Sequence, residues 1–362
     1  MVRKLVGELL IRESGSRATV RIEDIAKQAD VSLATVSRVL NMKGRISQST
    51  RERVLQVAKE LGYPLTADGF RAARSRSENI GILFNRRIRS LVADPFYGRV
   101  MEGVEDVLRL EGYHLLFATL SEKGEDLKKI AKFSRENRVD GLILAGCDVD
   151  LDYINAALEA RIPLVLVDNN LPRPKVPCAM TDNVTGAREA VEHLVSLGHR
   201  RIAMITGPLS HSSLYERYCG YRQALEAYRL DLRPDWVISN EDVAVFDVQG
   251  GYEAARRLLT KPQRPTAIFA ANDFLAVGAM QAAHEAGLDI PADLSVVGFD
   301  DVDLAAHTNP PLTTVRVYKR ELGIQAAKML LELIRGQAGP VPCKVMVSTE
   351  LVARESSAAI KG

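Results

Sequence analysis

The chain has 362 residues, more than one compact core ordinarily encloses, and its 46% hydrophobic and 26% charged residues fit a folded, multidomain protein. The formal charge of +2 is unevenly spread: residues 1–79 carry 15 Lys/Arg against 9 Asp/Glu and the rest 33 against 37, a basic head that predicts a polyanion contact on a mildly acidic body. No apolar run reaches the ~18–20 residues of a membrane span, the opening MVRKLVGELLIRESG is too interrupted by charge for a secretory signal, and four cysteines (147, 178, 219, 343) without metal-ligand spacing predict free, mostly buried thiols in a cytoplasmic protein with no cofactor or metal.

Residues 1–18 form a leader in which Val2, Leu5, Val6, Leu9 and Leu10 recur at helical spacing, predicting an amphipathic helix. Residues 19–64 then read as three short helices. Ile25, Ala26 and Ala29 give the first, over Arg21–Ala29, one apolar face. Asp30 and Val31 turn, and Ser32 stands at the N-cap of a second helix, Leu33–Leu40. There Val36, Val39 and Leu40 face one way, while Ala34, Ser37, Arg38 and Asn41 face the other. The third helix opens on the capping-box pattern Ser49-Thr50-Arg51-Glu52 and stops at Gly62, with Val54, Leu55, Ala58 and Leu61 inward.

Two helices joined by a tight turn, with a third completing the core, describe a helix-turn-helix. The second helix begins with small residues and is polar outside, as seating in a major groove requires. Leu33, Ala34 and Arg38 are placed to meet base edges: Arg38 can donate two bonds to guanine, and Leu33 or Ala34 can touch a thymine methyl. Ser32, Thr35, Ser37, Asn41, Arg45, Ser47 and Thr50 suit phosphates. On pattern alone a basic three-helix bundle with no DNA role is the competing reading. The wording decides between them. IEDIAKQADVSLATVSRVLN, from Ile22 to Asn41, strongly resembles the DNA-binding motif of the lactose-repressor (LacI/GalR) family, and the likeness continues through RISQSTRERVLQVAKELGYPL. It implies base reading by Leu33, Ala34 and Arg38.

Residues 65–79 are polar and basic, the composition of a linker. The resemblance implies a hinge helix that orders on operator DNA and wedges a leucine into the minor groove. Ala72 occupies the leucine position here and Phe70 precedes it. Alanine cannot unstack a base step, so either the kink is weaker or Phe70 is the wedge; packing of Phe70 on the body is the plainer alternative.

From Ile80 to Gly362 strands alternate with helices. The strand candidates are IGILF, YHLLFAT, GLILA, PLVLVD, RIAMITG, TAIFAA, LSVVGF and VMVSTELV. Helical patterns cover 97–110, 127–137, 151–160, 185–197, 215–228, 248–259, 274–285 and 320–335. Short continuous apolar strands between helices predict two doubly wound parallel-sheet subdomains, with ligands beyond the carboxyl ends of the strands. The polar residues there are Asp168, Asn272-Asp273 and Asp300-Asp301, joined by Arg217 and by Phe246 in a loop. Carboxylates, an amide and an arginine beside an aromatic ring suit a polyhydroxylated ligand. Helix capping is the plainer role for Asp168 and Asn272.

ANDFLAVGAM and PADLSVVGFDDVDLA resemble the effector domain of the same family, which implies an α/β body of the periplasmic-binding-protein type. The resemblance implies effector contacts by Arg217, Asn272 and Asp300, with Asp168 and Phe246 beside them, and leaves Asp273 as the helix cap. Asp94 and Phe96, in the turn DPFYG after a long loop, are candidate pocket residues or part of a subunit interface.

The expectation is therefore a homodimeric repressor binding a near-palindromic operator and a sugar-like effector. An enzyme is disfavoured because Asp300 and Asp301 are adjacent and point apart, and no nucleophile or phosphate-loop motif occurs in context. A sugar-transport protein with the same body would lack the helix-turn-helix. The six histidines (114, 193, 199, 211, 284, 307) show no metal spacing and read as surface or helix-end residues. The ending at STELVARESS, without a leucine-heptad tail, points to a dimer rather than a tetramer.

Overall fold

The computed structural model describes residues 20–40, 46–63, 77–85, 95–120, 126–128, 130, 132–133, 136, 138–146, 151–171, 173–239 and 247–360. They fall into two units, residues 1–76 and 77–362. Among them no helix is long and apolar enough to cross a membrane.

In the first unit α1 (Ile22–Gln28), α2 (Leu33–Leu40) and α3 (Gln48–Glu60) close on a small core. Ile25, Ala26, Ala29, Val36, Val39, Leu40, Val54, Val57, Ala58 and Tyr63 fill it. Asp30 takes φ 47° in the turn, a left-handed conformation that aspartate tolerates. The Thr35 amide donates to Ser32 Oγ at 3.2 Å, so Ser32 is the cap it was expected to be. The third helix differs from expectation. Its N-cap is Ser47, whose Oγ accepts from the Thr50 amide at 3.2 Å, because Gln48 and Ser49 already lie in the first turn. Val57 completes the buried face, while Leu55 and Leu61 are half-buried.

The second unit is a two-lobed α/β body. Its first lobe is a six-stranded sheet of β1 (Asn79–Asn85), β2 (His114–Leu120), β3 (Gly141–Ala145), β4 (Leu164–Val167), β5 (Cys178–Thr181) and β11 (Lys344–Val347), in the order β11-β5-β4-β3-β1-β2 and parallel throughout. Period-two alternation splits its apolar residues between two cores. Ile80, Ile82, Phe84, Ile143, Val165 and Val167 enter one, and Leu83, Leu142, Leu144, Leu164 and Leu166 the other. Helices α4 (Tyr97–Leu110), α5 (Leu151–Glu159) and α10 (Lys319–Arg335) cover it. Between α4 and α10 the backbones touch. A Cβ on Gly103 would lie 1.9 Å from Arg320 O, and one on Gly323 2.0 Å from Val100 O.

The second lobe is a parallel sheet of β6 (Ile202–Thr206), β7 (Val237–Ser239), β8 (Ala267–Ala270) and β9 (Ser295–Val297), in the order β7-β6-β8-β9. Around it pack α6 (Asn183–Ser196) against α7 (Ser212–Ala227), and α8 (Val248–Leu259) against α9 (Asp273–Glu285). A separate antiparallel ribbon is formed by β10 (Thr314–Val317) and β12 (Thr349–Val352).

Several expectations need amendment. VMVSTELV is not one strand: the chain divides at Ser348, β11 joining the large sheet and β12 the ribbon. The body starts at Ser77, where the Asp140 carboxylate accepts from the backbone amides of Ser77 and Glu78 at 2.9 and 3.1 Å. His199 is buried rather than peripheral, bonded to Thr266 and Ser295 at 3.0 Å and to the Ala358 carbonyl at 3.1 Å. Of the cysteines, Cys178 is buried, Cys219 half-buried and Cys343 exposed, all free; Cys147 lies outside the described residues. The predicted helix at 127–137 is only partly within them.

Candidate functional site

On the head, α2 is divided cleanly. Val36, Val39 and Leu40 are buried, whereas Leu33, Ala34 and Arg38 are exposed on the opposite side. An isolated exposed leucine is unremarkable, but here it shares a short outward face with Ala34 and Arg38. Ser32, Ser47 and Thr50 lie at helix starts, their hydroxyls engaged in capping: Ser32 Oγ is 2.9 Å from Thr35 Oγ1 and Ser47 Oγ 2.7 Å from Thr50 Oγ1. Ser37 is half-buried. Asn41, Arg45, Phe70 and Ala72 lie outside the described residues.

In the body, the residues after the strands converge on the crossing between lobes. Asp168 directly follows β4 and is 6% exposed. Ser213 Oγ donates to its Oδ1 at 2.6 Å from α7, and the Tyr97 hydroxyl donates to Oδ2 at 3.1 Å from the start of α4. Arg217, one turn along α7 from Ser213, is 4% exposed. Its Nε donates to Asn183 Oδ1 at 2.9 Å and one terminal nitrogen to the Ala271 carbonyl at 2.5 Å. The other lies 3.0 Å from Asp300 Oδ1, and the guanidinium stacks 3.8 Å from the centre of the Phe299 ring. Asn169, next to Asp168, donates to the Gly146 carbonyl at 3.1 Å.

Burial pushes both carboxylates up. At Asp168 it is opposed by the Ser213 bond, the Arg217 charge and the Tyr97 bond. At Asp300 it is opposed by Arg217 and Lys319 and reinforced by the Asp168 charge. The backbone is strained at the same places, with φ 53° at Asp168, 101° at Asp300 and 49° at Asp301. Such left-handed conformations cost about 1–3 kcal/mol each and gather at functional sites.

Asp300 and Asp301 part company, as expected of neighbours. Asp301 accepts from Arg316 Nε and from Arg354, each at 2.7 Å; burial pushes its carboxyl up, but those bonds outweigh it and hold it low. At the start of α9 the cap lies one residue earlier than expected. Asn272 is the N-cap, its Oδ1 accepting from the Leu275 amide at 2.8 Å. Asp273 is buried, bonded to Thr314 and Val302 instead of capping. The cause is where β8 ends: the helix begins at Asp273, so only the preceding residue has the extended backbone of a cap. Phe96 is half-buried against Tyr97, ring centres 5.0 Å apart. Asp94 and Phe246 lie outside the described residues.

Asp168, Arg217 and Asp300 thus form one constellation, and Tyr97, Ser213, Asn183 and Phe299 complete it. Tyr97 had a signal, since it directly follows the singled-out Phe96. Ser213 sits one turn before Arg217 and had only that. Buried carboxylates and an arginine held by fixed partners can accept and donate hydrogen bonds to hydroxyl groups.

Residues 21–64 match the model of the bacterial regulatory proteins of the lacI family, and residues 191–357 that of the periplasmic binding protein-like domain. The transcriptional repressor CytR of Escherichia coli (strain K12) is 32% identical over 339 residues, covering 94% of this chain and 96% of CytR. This chain belongs to the lacI family. Among solved structures of lacI-type regulators, the transcriptional regulator CelR in complex with cellobiose is 31% identical with a TM-score of 0.70, over 93% of this chain and 99% of CelR. The lac repressor dimer bound to operator and the anti-inducer ONPF is 30% identical with a TM-score of 0.68, over 94% and 99%. This lacI-family regulator therefore pairs a helix-turn-helix head with an α/β body of periplasmic-binding-protein type.

Proposed function

We propose that this regulator is a homodimeric, cytoplasmic repressor whose affinity for a near-palindromic operator is changed by a sugar or sugar derivative bound between the lobes of the body. In this reading residues 19–64 are the DNA-binding head, 65–76 the hinge and 77–362 the effector and dimerisation body. Leu33, Ala34 and Arg38 read bases. Asp168, Arg217 and Asp300 receive the effector, with Asn272, Phe96, Asp94 and Phe246 contributing. The body performs no catalysis.

The observation that carries this reading is the near full-length likeness to a regulator solved with cellobiose, joined to a buried constellation of hydroxyl-binding groups. One head supplies few base contacts, so two half-sites are needed for useful specificity. Effector and operator are then linked by a coupling free energy of order 1–3 kcal/mol, and each changes the other's affinity by the same factor.

The test is selection of duplexes from a random library, followed by thermal-shift and gel-shift measurements with cellobiose, ribose, sugar phosphates, sugar acids and purines. Two-fold symmetric selected sites and one ligand class that moves both readouts are expected. Asymmetric sites overturn the dimeric-operator reading, and a panel that moves neither readout overturns the effector reading.

A further inference from the structure

Lys319 is 7% exposed, yet it carries a cation on the first residue of α10, where the helix dipole disfavours positive charge. Its Nζ donates to the Asp300 carbonyl and to the Asp301 carbonyl at 3.2 Å, and stands 3.5 Å from the Val317 carbonyl. Two of these three acceptors belong to the residues with left-handed backbones, φ 101° and 49°. An ammonium that gathers two successive carbonyls offsets the cost of that turn, and the turn aims the Asp300 side chain at Arg217. Burial draws the Lys319 ammonium down, and the Asp300 carboxylate first, with Asp301 and Asp303, opposes that, so the turn is also where the cation is best compensated.

The far side of Lys319 is fixed as firmly. One turn along α10, Gly323 lies against the α4 backbone with no room for a Cβ, and Gly103 of α4 lies against Arg320 in the same way. The helix that supplies Lys319 is thereby locked to the helix that begins with Tyr97, the donor to Asp168. Both pocket carboxylates are referred to one rigid helix pair.

We propose that Lys319 is the positioning residue of the effector pocket: from α10 it holds the Asp300–Asp301 turn, so that the Asp300 carboxylate meets Arg217. Lys319 itself does not touch Arg217 and acts through the turn. The proposal rests on reading Asp300 as an effector contact, but its test needs no effector.

In the full-length, uniformly ¹⁵N-labelled protein, the Arg217 Nε–H resonance is assigned by its disappearance in Arg217→Lys. In Lys319→Met that proton is expected to exchange with solvent about tenfold faster or more, and in Lys319→Arg to stay within about twofold of wild type. A lowered thermal midpoint with Arg217 Nε–H unchanged in Lys319→Met would reduce Lys319 to a structural residue and overturn the proposal. Loss of the Arg217 signal in Lys319→Arg as well would overturn it too, because the cation is retained there. Should Lys319→Met not fold, Lys319→Gln, without charge, carries the same comparison. A ligand response that survives Asp300→Asn refutes the pocket reading instead, and the two failures remain distinct.

Discussion

Thr314 Oγ1 donates a 2.5 Å hydrogen bond to Asp273 Oδ1, joining the start of α9 to the ribbon strand β10. The second carboxylate oxygen accepts from the Val302 amide at 2.8 Å. Burial first, and the neighbouring Asp300 charge second, push Asp273 up to about 8. A folded value above the unfolded ~3.9 means the native state holds an extra proton between the two. This contribution to stability is complete below pH ~4 and is lost as pH rises through about 8.

Asp273→Asn removes that titration while keeping the shape. Its amide can donate to Thr314, and its oxygen can accept from Val302. Its thermal midpoint should therefore depend less on pH than wild type between about pH 5 and 8.5, wild type losing ground as pH rises. Asp273→Ala orphans both partners, at roughly 1–3 kcal/mol each. Parallel wild-type and Asn profiles by calorimetry would show that Asp273 does not titrate in this range.

At the pocket the choice of substitution matters. Arg217→Ala leaves Asp300 buried without its cation and should cost about 3–5 kcal/mol of stability, so a lost response there would be ambiguous. Asp300→Asn preserves shape and removes only the charge. It should keep ligand-free operator affinity within about twofold and abolish the shift caused by ligand, because the coupling of about 1–3 kcal/mol passes through this contact. Fluorescence anisotropy on a labelled operator measures both quantities. A normal shift in Asp300→Asn would remove Asp300 from the effector contacts.

On the head, Arg38→Ala should cost about 1–3 kcal/mol and relax preference at a single base position. Binding to a set of single-base operator variants separates that outcome from phosphate contact. If affinity drops by the same factor on every variant, and the salt slope falls by about one, Arg38 holds backbone and not bases.

How far the sequence could be read depended on what each signal measures. Long periodic helices such as α4 and α8 were legible to the residue, because an amphipathic stripe reports burial directly. β5, β7 and β10 were not: CAMT, VIS and TVRV are too short or too polar to register a period. VMVSTELV was apolar enough to find, but hydrophobicity is blind to which sheet a strand joins. The pocket shows the same limit. Asp168 and Asp300 stood out as candidates because they follow strands, where ligands sit in such folds, whereas Arg217 lies on a helix and stood out through the family resemblance. Lys319 carried no signal, since an exposed lysine is the ordinary expectation and its burial follows from the turn it holds. That Asn272 rather than Asp273 caps α9 turned on where the helix begins, one residue's difference that pattern alone does not resolve.

The α4–α10 contact makes a sharp comparison between two glycines. Gly103→Ala would set a methyl 1.9 Å from Arg320 O, so the two helices must separate; Gly112, at φ 74°, has nothing within 4 Å of its added Cβ. Gly112→Ala should cost about 1–2 kcal/mol through its backbone alone. Gly103→Ala should exceed that clearly, by roughly 1–3 kcal/mol or more from overpacking. Urea unfolding decides it, and equal losses would mean the helix pair yields without penalty.

β2 ends the order β11-β5-β4-β3-β1-β2, so among the described residues one of its backbone edges has no partner strand. It exposes Leu116 at 44% and Phe117 at 57%, and Leu110 at the end of α4 is 86% exposed. An apolar edge strand left in water is a template for pairing and aggregation unless something covers it. A second copy of the chain fits both that need and the requirement for two heads on one operator. Leu116→Asp combined with Phe117→Asp should convert the dimer to a folded monomer in sedimentation. The same change should weaken operator binding by about 10²–10⁴-fold, the effective-concentration gain of tethering two heads. A variant that still sediments as a dimer would place the interface elsewhere. A monomer with undiminished operator affinity would instead mean that one head reads the operator alone.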